Sequence, residues 1–122
     1  MKEITAIIRG NRIQKTNQAL LDAGYPSLTV QEVLGRGRQR GLQHEFCHEL
    51  PAPAGDNEAV AVSFIPKRML TLVVEDENVE AIVNLIIETN QTGNAGDGKI
   101  IVAPLRDAVR VRTGENGNDA IS

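Results

Sequence analysis

The sequence is short of several residue types, and each shortage closes off a class of protein. Cys47 is its single cysteine, so no internal disulfide can form, and a reducing, cytoplasmic setting fits best. There is no tryptophan, one tyrosine and two phenylalanines, so a core must be built from Ile, Val, Leu and Ala. No run approaches the ~18 apolar residues of a membrane span, and the apolar part of "MKEITAIIRGNR" is too short for a signal peptide. Excess positive charge is missing too: Lys and Arg number 13 against 16 Asp and Glu, a net charge of −3. A nucleic-acid binder usually carries a basic footprint across the domain. Here the basic residues cluster locally on an acidic chain, which favours a small anionic ligand and no nucleic acid.

What is present suits one small domain spanning residues 1–122, with enough aliphatic residues to bury a core. Ile4, Ala6 and Ile8 alternate with Glu3, Thr5 and Ile7, predicting a strand over about 2–9. "RIQKTNQALLDAG" predicts a helix with Ile13, Leu20 and Ala23 on one face and Gly24 just past its end. "SLTVQEVLG" predicts a second strand. Residues 42–58 have no sustained period and read as a long loop, of the kind that is usually functional or disordered. Ala59 to Glu75 reads as a third strand with a bend or bulge at Pro66. "DENVEAIVNLIIETNQTG" predicts a second helix, N-capped by Asp76, with Val79, Ile82, Val83, Ile86 and Asn90 inward. "NAGDG" is a tight turn and "KIIVAPL" a fourth strand; Val109 and Val111 alternate in the tail. The order βαββαβ, with one apolar face per helix, implies an α+β, ferredoxin-like fold: an antiparallel sheet with both helices on one side. The other sheet face would be bare, which predicts an oligomer.

Four constellations could carry chemistry. "VLGRGRQRGL" places Gly35, Gly37 and Gly41 among Arg36, Arg38 and Arg40, enough small residues and donors to cradle an anion. A solvated flexible loop is the plain alternative; a nucleic-acid segment would interleave aromatics for stacking, and none is near. "TGNAGDGKI" sets Gly93, Gly96 and Gly98 before Lys99, between a helix and a strand. Such a turn can wrap a phosphate with N–H groups and a point charge, or be an ordinary turn. It is not a Walker A loop, which precedes its helix. "VRVRTGE" puts Arg110 and Arg112 on one face of a predicted strand, able to grip a polyphosphate. "HEFCHE" spaces His44 and His48 four apart beside Cys47, a Zn2+ pair if helical, but no second ligand pair exists and solvated loop residues are the preferred reading. The Gly-Arg stretch ends the second strand and the Gly-Lys turn begins the fourth. Those strands lie at opposite edges of the expected sheet, so the two would meet most easily across a subunit interface.

These fragments in this order resemble the PII signal-transduction family, the trimeric nitrogen-status sensors. The resemblance covers nearly the whole chain and is sharpest in "TGNAGDGKI" followed by "VRVRTGE". It implies a trimer whose sheet faces line a central core, with ATP or ADP in the clefts between subunits. Thr29, Gly35, Gly37, Arg38 and Gln39 would act from one side, with Val73 near the base of the cleft. Gly96, Asp97, Gly98 and Lys99 would wrap the phosphates, and Arg110 and Arg112 would reach over from the neighbour. Beside Mg-ATP the family binds 2-oxoglutarate: Gln39 would help hold Mg2+, and Lys67 with backbone N–H groups around Arg40 and Gly41 would hold the keto acid. Residues of about 37–64 would form the family's T-loop, and about 106–122 its C-terminal tail.

Some positions depart from the family pattern. Gly10 stands for the usual proline after the first strand, Arg36 for a frequent Phe, and Asn94 for a lysine of the Gly-rich turn. The T-loop is long, contains no tyrosine to be uridylylated and lacks the tip arginine of channel-plugging members. A long tyrosine-free loop with "FIPKR" after it resembles the NifI branch, and its length the second member of the NifI pair. That resemblance implies a cytoplasmic regulator, not an enzyme, which binds dinitrogenase and blocks it until 2-oxoglutarate and ATP relieve the block. The assembly would be a homotrimer or a heterotrimer with a paralogous NifI subunit. The alternative is a general PII regulator of an ammonium channel or a nitrogen-assimilation enzyme. ATP hydrolysis would need a positioned base, and no clear one stands out.

Overall fold

The structure is a computed structural model that describes residues 1–37, 48–49 and 63–122. Strand β1, Lys2–Arg9, lies at the centre of the sheet, with a short 3₁₀ turn, Gly10–Arg12, leading into helix α1, Ile13–Asp22. Strand β2 is Thr29–Gly35, β3 the short pair His48–Glu49, and β4 the long strand Ser63–Val74. A second 3₁₀ turn, Asp76–Asn78, opens helix α2, Val79–Asn90; strand β5, Gly98–Pro104, and a one-turn helix α3, Asn118–Ile121, follow. The strand order is β2-β4-β1-β5, antiparallel throughout, with β3 paired to the start of β4. This is the expected ferredoxin-like arrangement, with β2 and β5 at the edges.

The two sheet faces follow from the period of 2. Ile4 faces Leu72 and Val102, and Ala6 faces Leu70 and Ile100. Ile4, Ala6, Leu70 and Leu72 meet Leu20 of α1 and Ile82 and Ile86 of α2 in a core whose fully buried members, among the described residues, are aliphatic; Ile100 packs against it and Val102 is exposed. The inner face of α2 is the expected one: Ile82, Ile86 and Asn90 are buried, and Val79 and Val83 pack against the core. Fully burying each such aliphatic side chain contributes about 1.5–3 kcal/mol. On the opposite face Thr5 pairs with Thr71 and Ile101, and Ile7 with Met69 and Lys99, with no helix over them among the described residues.

Several expectations need correction. Pro66 introduces no bulge: Leu34 pairs with Pro66 and Gly35 with Ile65 in unbroken register. The reason is that β1 ends opposite Lys67, so at Pro66 the ladder has a neighbour on one side only and tolerates a residue without an N–H. The expected start of this strand, 59–62, lies outside the described residues. Asp76 does not N-cap α2. Its carboxylate takes the Met1 ammonium at 2.6 Å and Lys2 Nζ at 3.3 Å, and the chain makes a 3₁₀ turn before the helix starts. Ala23 is exposed, because α1 ends one residue earlier and the apolar face ends with it. Thr16 is buried on that face instead, its hydroxyl donating to Arg12 O at 2.8 Å and accepting from Asn90 Nδ2 at 3.0 Å.

The stretch 42–58, expected to be irregular, contains β3, where His48 pairs with Phe64. His48 therefore sits on a strand; His44 and Cys47, the other members of the candidate metal group, lie outside the described residues. The tail does not form a strand at Val109–Arg112 either. Val109 bridges Asn116, and the Arg110 N–H donates to Glu115 O while the Gly114 N–H donates to Arg110 O. With positive φ at Gly114 (75°) and Gly117 (62°), the segment folds back on itself.

Candidate anion-binding site

The site is built around the turn between α2 and β5. Asp97 folds it: Oδ2 accepts the N–H groups of Thr92 at 2.7 Å and Gly93 at 2.9 Å, and Oδ1 accepts the Thr92 hydroxyl. Arg9 Nη2 stands 3.5 Å from the same Oδ1. The Thr92 hydroxyl bond, then the two backbone N–H groups and the Arg9 charge, hold Asp97 below the usual carboxylate range against the opposing cost of desolvation. Both carboxylate oxygens are thus engaged inside the turn. Asp97 shapes the turn rather than facing outward as a ligand.

Gly98 fixes where the turn meets the sheet. It pairs with Ile8, has φ of 115°, and a Cβ there would lie 1.9 Å from Ile7 O. Only glycine fits this approach of β5 to β1. Lys99, next in β5, pairs with Ile7 and is exposed.

Two cations converge on the turn from the sheet. Lys67, buried on β4 at 7% exposure, donates from Nζ to Gly96 O at 2.9 Å. Arg9, at the end of β1, donates from Nε to Gly96 O at 3.1 Å and from Nη2 to Ala95 O at 2.9 Å. They are neighbours because the register sets Arg9 opposite Lys67. Two cationic donors on one oxygen are the donor chemistry of a carboxylate or phosphate site. Lys67 thus sits beside the Gly96–Gly98 turn within a single chain. Arg9 belongs to this group although the sequence reading does not single it out; its signal is that a strand-ending arginine falls opposite Lys67 once β1 and β4 are paired.

The other expected residues lie further out. Thr29 opens β2 opposite Thr71, Val73 faces Glu3 on the helix-free side, and Gly35 closes β2 with the Lys67 stem beneath it, 3.7 Å from where a Cβ would be. A Cβ added at Gly37 would meet nothing within 4 Å among the described residues. The Arg36 guanidinium lies 6.0 Å from the centre of the Phe64 ring, across the two stalks of the intervening loop. Arg38, Gln39, Arg40 and Gly41 lie outside the described residues. Among the described residues, no hydrogen bond or ion pair joins Arg110 or Arg112 to the turn of their own chain. Arg110 is held in the tail, with Nη1 donating to Glu115 Oε1 at 2.9 Å and Nη2 to the main-chain oxygens of Ser122 at 2.9 Å and Ala120 at 3.4 Å. Arg112 is exposed.

Residues 1–115 match the family model for nitrogen regulatory protein P-II. The chain belongs to the PII family. Relatives from Methanothermobacter marburgensis and Methanobacterium ivanovii, each called nitrogen fixation nifHD region GlnB-like protein 2, are 44% and 47% identical. The first covers 99% of this chain and 100% of its own, the second 99% of both. Their names are consistent with the NifI branch. A nitrogen regulatory protein P-II of Cereibacter sphaeroides is 40% identical over 99% of this chain and all of its own. Among solved structures, Arabidopsis thaliana PII bound to citrate superposes with a TM-score of 0.73 at 34% identity, covering 98% of this chain and 88% of its own. The PII fold is therefore shown by sequence and structure together, and the protein is a PII-family nitrogen regulator. No helix among the described residues is long and apolar enough to cross a membrane.

Proposed function

We propose that this PII protein reports nitrogen status to dinitrogenase. It binds ATP or ADP, with Mg2+, and 2-oxoglutarate at the base of its T-loop, and inhibits dinitrogenase through that loop until 2-oxoglutarate and ATP release it. The observation that carries the ligand reading is the convergence of Lys67 and Arg9 on the carbonyl of Gly96. A buried ammonium and a guanidinium aimed at one oxygen suit a carboxylate of the keto acid, and the Gly96–Lys99 turn beside them suits phosphates. Arg110 and Arg112 would contribute from a neighbouring subunit, and Gln39 would hold Mg2+. A trimer, of this chain alone or with a paralogous NifI subunit, accounts for the helix-free sheet face that carries Ile7, Met69 and Ile101. The dinitrogenase assignment rests on relatives named for the nifHD region.

The test is an inhibition assay with purified dinitrogenase. Full-length protein should inhibit, and 2-oxoglutarate with Mg-ATP should relieve the inhibition. A variant lacking Pro51 to Asp56 should bind ATP unchanged in calorimetry and no longer inhibit. If the shortened protein still inhibits and still responds to 2-oxoglutarate, the T-loop is not the contact surface. If the full-length protein binds both ligands but leaves dinitrogenase untouched, the general PII regulator is the correct reading.

A further inference from the structure

The tail motif "VRVRTGE" places a glutamate five residues after Arg110, and the fold gives that glutamate a use. Glu115 Oε1 accepts Arg110 Nη1 at 2.9 Å and also the Thr113 hydroxyl at 2.7 Å. The backbone repeats the link, with the Arg110 N–H donating to Glu115 O at 2.8 Å and the Gly114 N–H to Arg110 O at 2.7 Å. From the other side, Nη2 is taken by the Ser122 and Ala120 main-chain oxygens at 2.9 and 3.4 Å. A long side chain that would otherwise sample many rotamers is thus held at three points.

We infer that Glu115, itself oriented by Thr113, is a positioning residue that pre-sets the Arg110 guanidinium for a nucleotide phosphate. The inference rests on the nucleotide reading above and extends it to a residue that would touch no ligand. The physical argument is one of stoichiometry and entropy. Guanidinium has five N–H donors in a fixed plane. Nη1 spends one on Glu115 and Nη2 its two on the tail, so Nε and the second Nη1 hydrogen remain for an incoming anion. Ordering a rotamer-rich side chain at binding costs free energy that pre-organisation removes. The tail supplies that order from its own residues, so Arg110 is aimed before any phosphate arrives. A carboxylate beside the guanidinium also offsets part of its charge, so two opposite effects compete. Since the hydrogen-bonding edges are shared out rather than wholly consumed, orientation should outweigh neutralisation.

The experiment is a double-mutant cycle on the intact protein, read by calorimetry with ATP and with adenosine. Arg110→Ala should weaken ATP by roughly tenfold or more. Glu115→Ala should weaken ATP by about 2- to 12-fold, the range expected for releasing one immobilised side chain. The double variant should be no weaker than Arg110→Ala alone, because Glu115 acts only through Arg110. Adenosine affinity should be unchanged in all three, which a general loosening of the fold would not produce. Thr113→Val should fall in the same direction with a smaller effect. If Glu115→Ala binds ATP more tightly, Glu115 competes with phosphate and the inference is wrong. It is equally wrong if Arg110→Ala weakens ATP while Glu115→Ala does nothing, or if the two losses add. If Arg110→Ala itself leaves ATP binding intact, the nucleotide reading of the tail fails first, and the role of Glu115 with it.

Discussion

The turn at residues 92–98 and the tail at 106–122 both carry groups suited to anions, but they are held in different ways. The turn, folded locally by Asp97, is also pinned by distant parts of the chain. Arg9 reaches it from a separation of 86 and 87 residues, Lys67 from 29. The tail pins itself: the Arg110 contacts with Glu115, Ala120 and Ser122 span 5, 10 and 12 residues. An element fixed by remote partners inherits the geometry of the sheet and shifts when the sheet does. An element fixed locally keeps its shape wherever it is carried, which suits a segment that would present an arginine to a neighbouring subunit.

The sharpest way to break the comparison is Gly98→Ala. The new methyl group would have to sit 1.9 Å from Ile7 O at a φ of 115°, so β5 must move away from β1. Positive-φ strain and overpacking together should cost about 2–5 kcal/mol. Thermal unfolding should register a loss of roughly 10 °C or more. Replacement at Gly114, where a Cβ meets nothing within 4 Å, carries the φ strain without the clash and should cost less. Equal losses at the two positions would show that the turn is no more tightly bound to the sheet than the tail is.

The same distinction governs what could be read from the sequence. The period of 2 in β1 and the 3.6-residue stripe of Ile82, Ile86 and Asn90 are local patterns, and they led to the correct sheet order and helix side. The motif "TGNAGDGKI" marked the turn because glycine density is local as well. Arg9 is invisible at that level, since nothing near residue 9 announces a partner at residues 95 to 97; only the pairing of β1 with β4 brings it beside Lys67. Asp76 misled for a related reason: an acidic residue before a helix looks like a cap, yet the Met1 ammonium competes for it across the fold. In "VRVRTGE" the alternation was real but short, and the positive-φ glycines at 114 and 117 turned it back before a strand could form. The roles of Gln39 and its neighbours remain with the family resemblance, because residues 38–41 lie outside the described part of the structure.

Acid gives a finer probe of the turn. Asp97 is lowered in the folded state, chiefly by the Thr92 hydroxyl bond. A carboxylate with a depressed folded value contributes stability that is fully present above its unfolded value, about 3.9, and is lost as pH falls through the folded value. Unfolding midpoints measured between neutral pH and about pH 3 should therefore decline at the acid end. Asp97→Asn should flatten that part of the curve, since the amide has no proton to gain. A variant with the same acid slope as the parent would assign the effect to another carboxylate, Asp76 being the first to examine because it too is lowered, by the Met1 ammonium and Lys2.

The smallest expected effect is on the tail's contribution to stability. No residue beyond Asn90 is buried, and the tail adds no member to the aliphatic core. Its ion pair, Arg110 with Glu115, is partly exposed, and such pairs contribute about 0–1 kcal/mol. Removing residues 118–122 takes away α3 and the two main-chain oxygens that hold Arg110 Nη2. The melting temperature should then shift by only a few degrees, while the Arg110 side chain gains freedom. Measured together, a near-constant melting temperature and a weakened ATP affinity would separate the tail's role in binding from any role in folding. A large loss of stability would mean that the tail is structural, and the contrast with the turn would disappear. A fully unchanged ATP affinity would place the orientation of Arg110 in Glu115 alone, with the main-chain oxygens of Ala120 and Ser122 contributing nothing to it.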